Sequence, residues 1–349
     1  MRVSVSRPST IVRGLLTAVI SLGLLLSSIP VNAINVGKYP ETVTKYRVYG
    51  KAVQLGASLV TNFTDYRFNT TLLSQSSDKV VGVFPKDAQI VDAFLFWGAS
   101  SPGLPNNPIV DKTVSLTLPD GFKTSVAADN CLTRQLPNPA LIANGAGVHA
   151  YCRSKVSDLV KQHAGPDTFN GTYSVGDLDA KIAVLKNQGC GFKLNSQAFP
   201  NQPETVCCDS NDPFCQARHA SWSLVIIYDT QFSETTERDI LLYDGFVMLD
   251  EQLNSTGQAS LNIDGFLVGD PPQASLSYYA MEGDKHLGNP YQDPPGGPDS
   301  MPCPTCWDFV AFNGNKLSGG AGNNAVHNIF NSTPEPSIDL DTFDVSNLL

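Results

Sequence analysis

Runs rich in β-branched and aromatic residues, bounded by Gly, Pro, Asn or Asp, recur along the chain. They fall at Tyr46–Leu55, Val80–Phe84, Ile90–Trp97, Thr113–Leu118, Thr172–Val175, Ser221–Tyr228, Ile240–Leu249, Ala259–Val268, Ser275–Met281 and Phe309–Phe312. Side chains of this kind fit a pleated, half-buried surface, so each run predicts a strand. Ala93–Trp97 and Trp222–Tyr228 are almost continuously apolar, the pattern of strands buried on both faces. Pro119-Asp120-Gly121, Asp244-Gly245 and Asp264-Gly265 read as turns between strands. A helical spacing is present over Ala150–His163, with Val156, Leu159 and Val160 on one side and Gly165-Pro166 as a stop. The fold class this predicts is all-β, a β-sandwich or jelly-roll-like architecture with a disulfide-pinned loop excursion and at most one or two short helices.

The first 33 residues break from this pattern. Arg2, Arg7 and Arg13 precede the uncharged run Leu15–Leu26, and a small residue, Ala33, closes the segment. A basic start, a short apolar core and a small residue before the cut are the parts of a signal peptide. Twelve helical residues reach only about 18 Å, too short for a hydrocarbon core of about 30 Å. Residues 1–33 are therefore expected to be removed, leaving residues 34–349 as one β-sandwich domain with no membrane span, secreted or held at the cell surface. A division into two β domains within residues 125–218 is the alternative.

Composition changes the picture in two ways. The chain of 349 residues has 23 Lys+Arg against 33 Asp+Glu. Loss of residues 1–33 removes three arginines and no acid, so the net charge moves from −10 to −13. An acidic balance of this size argues against nucleic acid, whose binding rests on cationic side chains replacing counterions. The 28 Gly and 24 Pro interrupt the chain too often for long helices.

Eight cysteines remain after the leader: Cys131, Cys152, Cys190, Cys207, Cys208, Cys215, Cys303 and Cys306. An even count in an exported chain reads as disulfides, with the connectivity left open by sequence. Six of them fall within residues 125–218, where strand signals are sparse, and this stretch reads as a pinned excursion. Cys303-Pro304-Thr305-Cys306 lacks a second pair or suitably spaced histidines for zinc. It sits in a proline-rich loop rather than at the helix start a redox pair needs, so a structural bridge is expected there as well.

Ala93–Trp97, Val156–Val160, Gly171-Thr172-Tyr173, Ala220–Tyr228, Asp244-Gly245 and Asp339–Val345 occur in this order. The series resembles secreted bacterial cell-surface β-sandwich proteins, often found beside repeated β-sandwich domains. The resemblance implies an extracellular β fold associated with the envelope, and it carries over no catalytic residue.

Catalytic signatures are sparse. No G-x-S-x-G elbow and no H-E-x-x-H is present. His149 with Asp158, or His219 beside Trp222, lack a serine partner that sequence can choose, and the acid pairs Asp177/Asp179 and Asp250/Glu251 read as solvated loop residues. Calcium is the cofactor considered, because hard cations take oxygen ligands. Asp209, Asn211 and Asp212 form one candidate set, and Asp339, Asp341 and Asp344 the other. Against it stands the ordinary use of Asp and Asn in capping turns.

The expected function is that of a non-enzymatic surface or extracellular-matrix protein acting in adhesion, envelope assembly or binding. Its expected partners are envelope or matrix proteins, glycans or copies of itself, with Tyr278, Tyr279 and Tyr291 as sugar-stacking candidates. A secreted hydrolase acting on polysaccharide is the alternative.

Overall fold

The structure, a computed structural model, describes residues 2–6, 37–60, 72–100, 103–104, 107–108, 110–135, 148–165, 168–179, 220–247, 258–281, 309–320, 329–330 and 338–349. The strands in chain order are β1 Arg2–Ser6, β2 Gly37–Val48, β3 Ala52–Ser58, β4 Gln75–Lys79, β5 Gln89–Ser100, β6 Gly103–Leu104, β7 Asn107–Pro108, β8 Thr113–Thr117 and β9 Lys123–Ala127. They continue as β10 Asn130–Gln135, β11 Val148–Lys155, β12 Thr172–Gly176, β13 Ala220–Asp229, β14 Arg238–Val247 and β15 Gln258–Asn262. The last are β16 Ser275–Met281, β17 Phe309–Phe312, β18 Asn315–Lys316 and β19 Ile338–Asp344. Helix α1, Ser157–His163, and a 3-10 turn at Ser346–Leu348 are the helical elements among the described residues. The chain is all-β, built from antiparallel sheets.

A five-stranded sheet, in the order β10-β11-β5-β13-β3, forms the centre. Its middle strands β5 and β13 are the two continuously apolar runs, and the reason for their composition is visible in the packing. Leu95 and Trp97 of β5, with Trp222, Leu224 and Ile226 of β13, point into one core. That core also takes Val114 and Leu116 of β8, Tyr173 and Val175 of β12, and Phe84 and Phe169. It lies against the four-stranded sheet β4-β12-β8-β9. The alternate residues Phe94 and Phe96, on the other face, pack with Tyr151, Phe246, Leu242 and Tyr46 under the β14-β2 ribbon. Period-two alternation sends successive side chains to opposite faces, so a strand covered on both sides is apolar throughout.

The β16-β19 ribbon packs on the same outer face. A Cβ at Gly98 would lie 2.0 Å from Met281 Sδ, and one at Gly56 would lie 2.7 Å from Leu340 Cδ1. Only glycine lets the ribbon approach this closely at those two points. A separate core of Val310, Phe312, Leu317, Ile329, Phe343 and Val345 joins β17 to β19. Strand β1, which falls inside the segment expected to be removed, sits between β15 and β17 in the full-length chain, with Val3 opposite Leu261 on one side and Phe312 on the other.

Several expected elements differ. Tyr46–Leu55 is two strands, because the chain crosses from the β2 layer to the central sheet at Gly50, where a Cβ would meet Tyr228 O at 1.9 Å. Val80–Phe84 is a loop. Gly82 adopts a positive φ of 66°, and the Asn170 side chain takes the N–H groups of Val83 and Phe84 that a ladder would need. The helical spacing of Ala150–His163 gives way over 150–155 to β11, whose ladder with β5 continues to Lys155 opposite Phe94, and the helix starts only at Ser157. Asp244-Gly245 is a register shift inside β14 rather than a turn. Within residues 125–218, β10, β11 and β12 are woven into the sheets, while residues 180–219 lie outside the described residues.

Cys131 and Cys152 face each other across the β10-β11 register and form a disulfide. The bridge spans 21 residues of sequence, and closing a loop of that length removes about 3 kcal/mol of unfolded-state entropy. The Cys131→Ala, Cys152→Ala double variant is expected to lose about 3 kcal/mol in urea unfolding. An unchanged midpoint would contradict a stabilising role for this bridge.

Candidate functional site

Five loops meet at the end of the molecule where β4 and β13 finish and β5 and β12 begin. They are the β2-β3 connection at residues 49–51, the β4-β5 loop at 80–88, the β8-β9 turn at 118–122, the Asn170-Gly171 approach to β12, and the β13-β14 loop at 230–237. Side chains tie them together. The Thr230 hydroxyl donates to Tyr49 O at 2.7 Å, and the Ser233 hydroxyl donates to Asp87. Asn170 Nδ2 donates to Phe84 O at 2.8 Å, and the backbone N–H of Val80 donates to Gly171 O at 3.0 Å. Below the loops, Phe84 sits 5.6 Å from Phe169 and 5.2 Å from Tyr228, ring centre to ring centre, and all three are buried.

Above this aromatic floor the same loops expose large apolar side chains. The described residues contain seven such side chains, and Tyr49, Val81, Val83, Phe122 and Phe232 belong to these loops. Phe232 is 82 % exposed and Val81 71 %. The other two, Leu267 and Val268, stand on a loop fixed to Asp239 beside the start of β14. Scattered apolar residues on a surface need no explanation, whereas a cluster marks an interaction site.

The backbone N–H groups of four of these tips are accepted by side-chain oxygens. Asp229 Oδ1 accepts the N–H of Tyr49 at 2.7 Å, Asn170 Oδ1 that of Val83 at 2.8 Å, Asp120 Oδ1 that of Phe122 at 2.8 Å and Asp87 Oδ2 that of Phe232 at 2.8 Å. Bonding from the Ser233 hydroxyl, aided by the N–H groups of Phe232 and Ser233, holds the Asp87 carboxyl at about 2. A carboxyl lowered in the fold contributes its stability above its ordinary value and loses it only as pH falls through about 2. This tie therefore persists from about pH 5 upward. His163 stacks on Phe122 at 3.6 Å between ring centres, and its Nδ1 lies 3.1 Å from Asp120.

Comparison with family models, with curated proteins and with solved structures finds no match to this chain.

Other polar clusters hold layers together. Asp92 accepts the hydroxyls of Tyr46 and Ser157, each at 2.6 Å, and pairs with Lys155 Nζ at 2.7 Å, joining β2, β5, β11 and α1. Asp244 of β14 accepts the Tyr151 hydroxyl and pairs with Arg153 Nη1 at 2.6 Å, both from β11. Burial, followed by the charge of Asp244, raises the Tyr151 hydroxyl far above its ordinary value, so it acts as a fixed donor.

The calcium candidates separate. Asp339 and Asp341 share one buried face of β19, where Asp341 accepts the Tyr278 hydroxyl at 2.8 Å. Asp344 lies on the opposite face, exposed, and caps Ser346 N–H at 2.9 Å. Among the described residues no group of three His, Cys, Asp or Glu is placed to hold a metal ion. Asp209, Asn211 and Asp212 lie outside the described residues, as do Cys190, Cys207, Cys208, Cys215, Cys303, Cys306, His219, Asp250, Glu251 and Tyr291. His149 lies at the start of β11 and Asp158 in α1, beyond the strand's other end, so the two are not brought together. Asp177 pairs with Lys123 Nζ at 2.9 Å. Tyr278 and Tyr279 are half-buried, with hydroxyls bonded to Asp341 and Ser221, and do not form an open sugar platform.

Sequence reasoning assigns Val80–Phe84 to a strand and Tyr49 to the strand Tyr46–Leu55, and it passes over Phe122 and Phe232. The available signal was each aromatic residue's isolation among turn-forming residues, as in Asp229-Thr230-Gln231-Phe232-Ser233.

Proposed function

We propose that the chain is a non-enzymatic exported protein that acts at the cell surface or in the extracellular matrix by binding through its loop end. The observation that carries the reading is the set of apolar tips, Tyr49, Val81, Val83, Phe122 and Phe232, on loops pinned to one another and to a buried aromatic floor. Binding residues are concentrated on loops positioned by a rigid scaffold, and presentation without flexibility lowers the entropic cost of association. The leader-like segment, the cysteine count and the low charge density of the chain support an exported setting. The function this suggests is adhesion or envelope assembly.

Fractionation of expressing cells and their medium, followed by mass spectrometry of the recovered chain and of what co-purifies, tests the reading. The expected result is recovery in the envelope or matrix fraction with Ile34 as the first residue. Recovery solely as a free monomer in the medium, or release of reducing sugar when the purified chain meets polysaccharide, overturns it.

A further inference from the structure

We propose that β1 occupies a slot built for a strand from a second copy of this chain. Loss of residues 1–33 empties the slot between β15 and β17, and Ile34-Asn35-Val36-Gly37, the first residues of another mature molecule, fill it. The inference rests on the leader reading above and goes beyond it, because it concerns these two strands and not the loop tips.

The slot is defined by its occupant in the structure. β1 runs antiparallel to β15, from Arg2 opposite Asn262 to Ser6 opposite Gln258. It also runs antiparallel to β17, from Val3 opposite Phe312 to Ser6 opposite Phe309. Among the described residues β15 has no other ladder, and β17 otherwise pairs with the two-residue β18. Two strands antiparallel to one neighbour are parallel to each other, and these stand two strand spacings apart, about 10 Å. A ladder needs about 4.8 Å, so β15 and β17 cannot pair across the gap where they stand. Without β1, each presents a row of unpaired N–H and C=O groups to the other, the template that an extended segment joins.

The lining of the slot sets what the occupant must carry. Val310 and Phe312 of β17 are buried in the second core with Leu317, Ile329, Phe343 and Val345. The positions opposite Phe312 and Val310 are Val3 and Val5, and those opposite Ala311 and Phe309 are Ser4 and Ser6. An occupant therefore needs apolar residues at the first and third of four positions, and small or polar residues at the second and fourth. Ile34-Asn35-Val36-Gly37 has that order. It also stands at the N-terminus that cleavage after Ala33 creates, a free end that enters between two strands without a loop having to open.

Direction assigns the segment to another molecule. The residues after β15 reach β2 far from its start: Gly265 O accepts from Lys45 Nζ, and Leu267 N–H donates to Asp239, the ladder partner of Arg47. β15 thus points toward the end of β2 remote from Gly37, and its occupant must point the opposite way. In its own chain, residues 34–36 lead straight into β2, which pairs with β14 from Gly37 onward, and none is left for the reversal. In a second copy no reversal is needed. Gly37 gives up one partner at the end of β2, Val247, and takes two, Gln258 and Phe309. Donor segment and slot are different parts of the chain, so the contact is head-to-tail and repeats into rings or filaments.

The test is sedimentation of the purified exported chain over a dilution series, with its first residue read by mass spectrometry. A chain that begins at Ile34 is expected to form assemblies in whole multiples of its own mass that grow with concentration. A synthetic peptide of residues 2–6 is expected to bind it and reduce the assemblies to monomer, and the same peptide with Val3→Asp and Val5→Asp is not. Val36→Asp is expected to weaken assembly by about tenfold or more. That variant should still bind the peptide of residues 2–6, which shows that its fold and slot are kept. A chain beginning at Ile34 that stays monomeric at every concentration overturns the proposal and leaves the export reading standing. Assembly that neither the peptide nor Val36→Asp affects overturns it as well. Recovery of a chain that keeps residues 1–33 overturns the export reading and, with the slot still filled, this proposal too.

Discussion

The Trp222→Ala variant is expected to unfold with about 3–5 kcal/mol less free energy than the wild type. Trp222 is fully buried at the middle of the core shared by the two main sheets and stands directly opposite Trp97 in the β5-β13 register. Its indole Nε1 donates to Ser76 Oγ of β4 at 2.8 Å, so truncation removes both a large apolar volume and a bond between the sheets. A cavity that cannot collapse costs more than the transfer of the lost side chain alone. Urea unfolding checks this, through a lower midpoint with an unchanged slope. A midpoint within experimental error of the wild type would show that Trp222 is not a core residue.

The Asp244→Ala variant is expected to lose about 3–5 kcal/mol through a different cause. Asp244 is the shared partner of the Tyr151 hydroxyl and of Arg153, and the pair it forms with Arg153 is largely shielded from solvent, with side-chain exposures of 7 % and 20 %. Removing the carboxylate leaves a guanidinium without its counter-charge and a buried phenol without its acceptor. Arg153 Nε is already buried with no partner among the described residues. The larger part of the cost is the stranded charge, and that part should be recovered when Arg153→Met is added, because an apolar replacement of both members of the ion pair leaves only the Tyr151 hydroxyl without its partner. A double variant as unstable as the single one would contradict this account and place the loss in backbone packing instead.

How much of this could be read in advance differs between the core and the site. The continuous apolar runs of β5 and β13 were legible because each is covered on both faces, and their burial matches that reading residue by residue. Strands β4, with the sequence QSSDK, and β10, with NCLTRQ, were missed because their residues carry little apolar alternation. Both are held by ladder bonds to a neighbour, β12 and β11 respectively, which a propensity argument does not see. The helix was misjudged over 150–155 for a related reason: that stretch has spacing compatible with either period, and the waiting edge of β5 decided it. The apolar tips were hidden by the same logic in reverse. Val80–Phe84 has strand composition, but Asn170, distant in sequence, takes the N–H groups that pairing would use. Asn170 is also the first residue of an N-x-T sequence, and here both ends of its amide are engaged, by Val83, Phe84 N–H and Phe84 O.

The central claim is that the loop end is the face through which this protein binds. Its most direct test is retention of the purified chain on the cells that export it, measured for the wild type and for Val81→Ser with Phe232→Ser. Both side chains are exposed, so the substitutions should leave stability within about 0.5 kcal/mol of the wild type. The account predicts that the wild type is retained and the variant is lost to the wash. Equal retention of the two would contradict it.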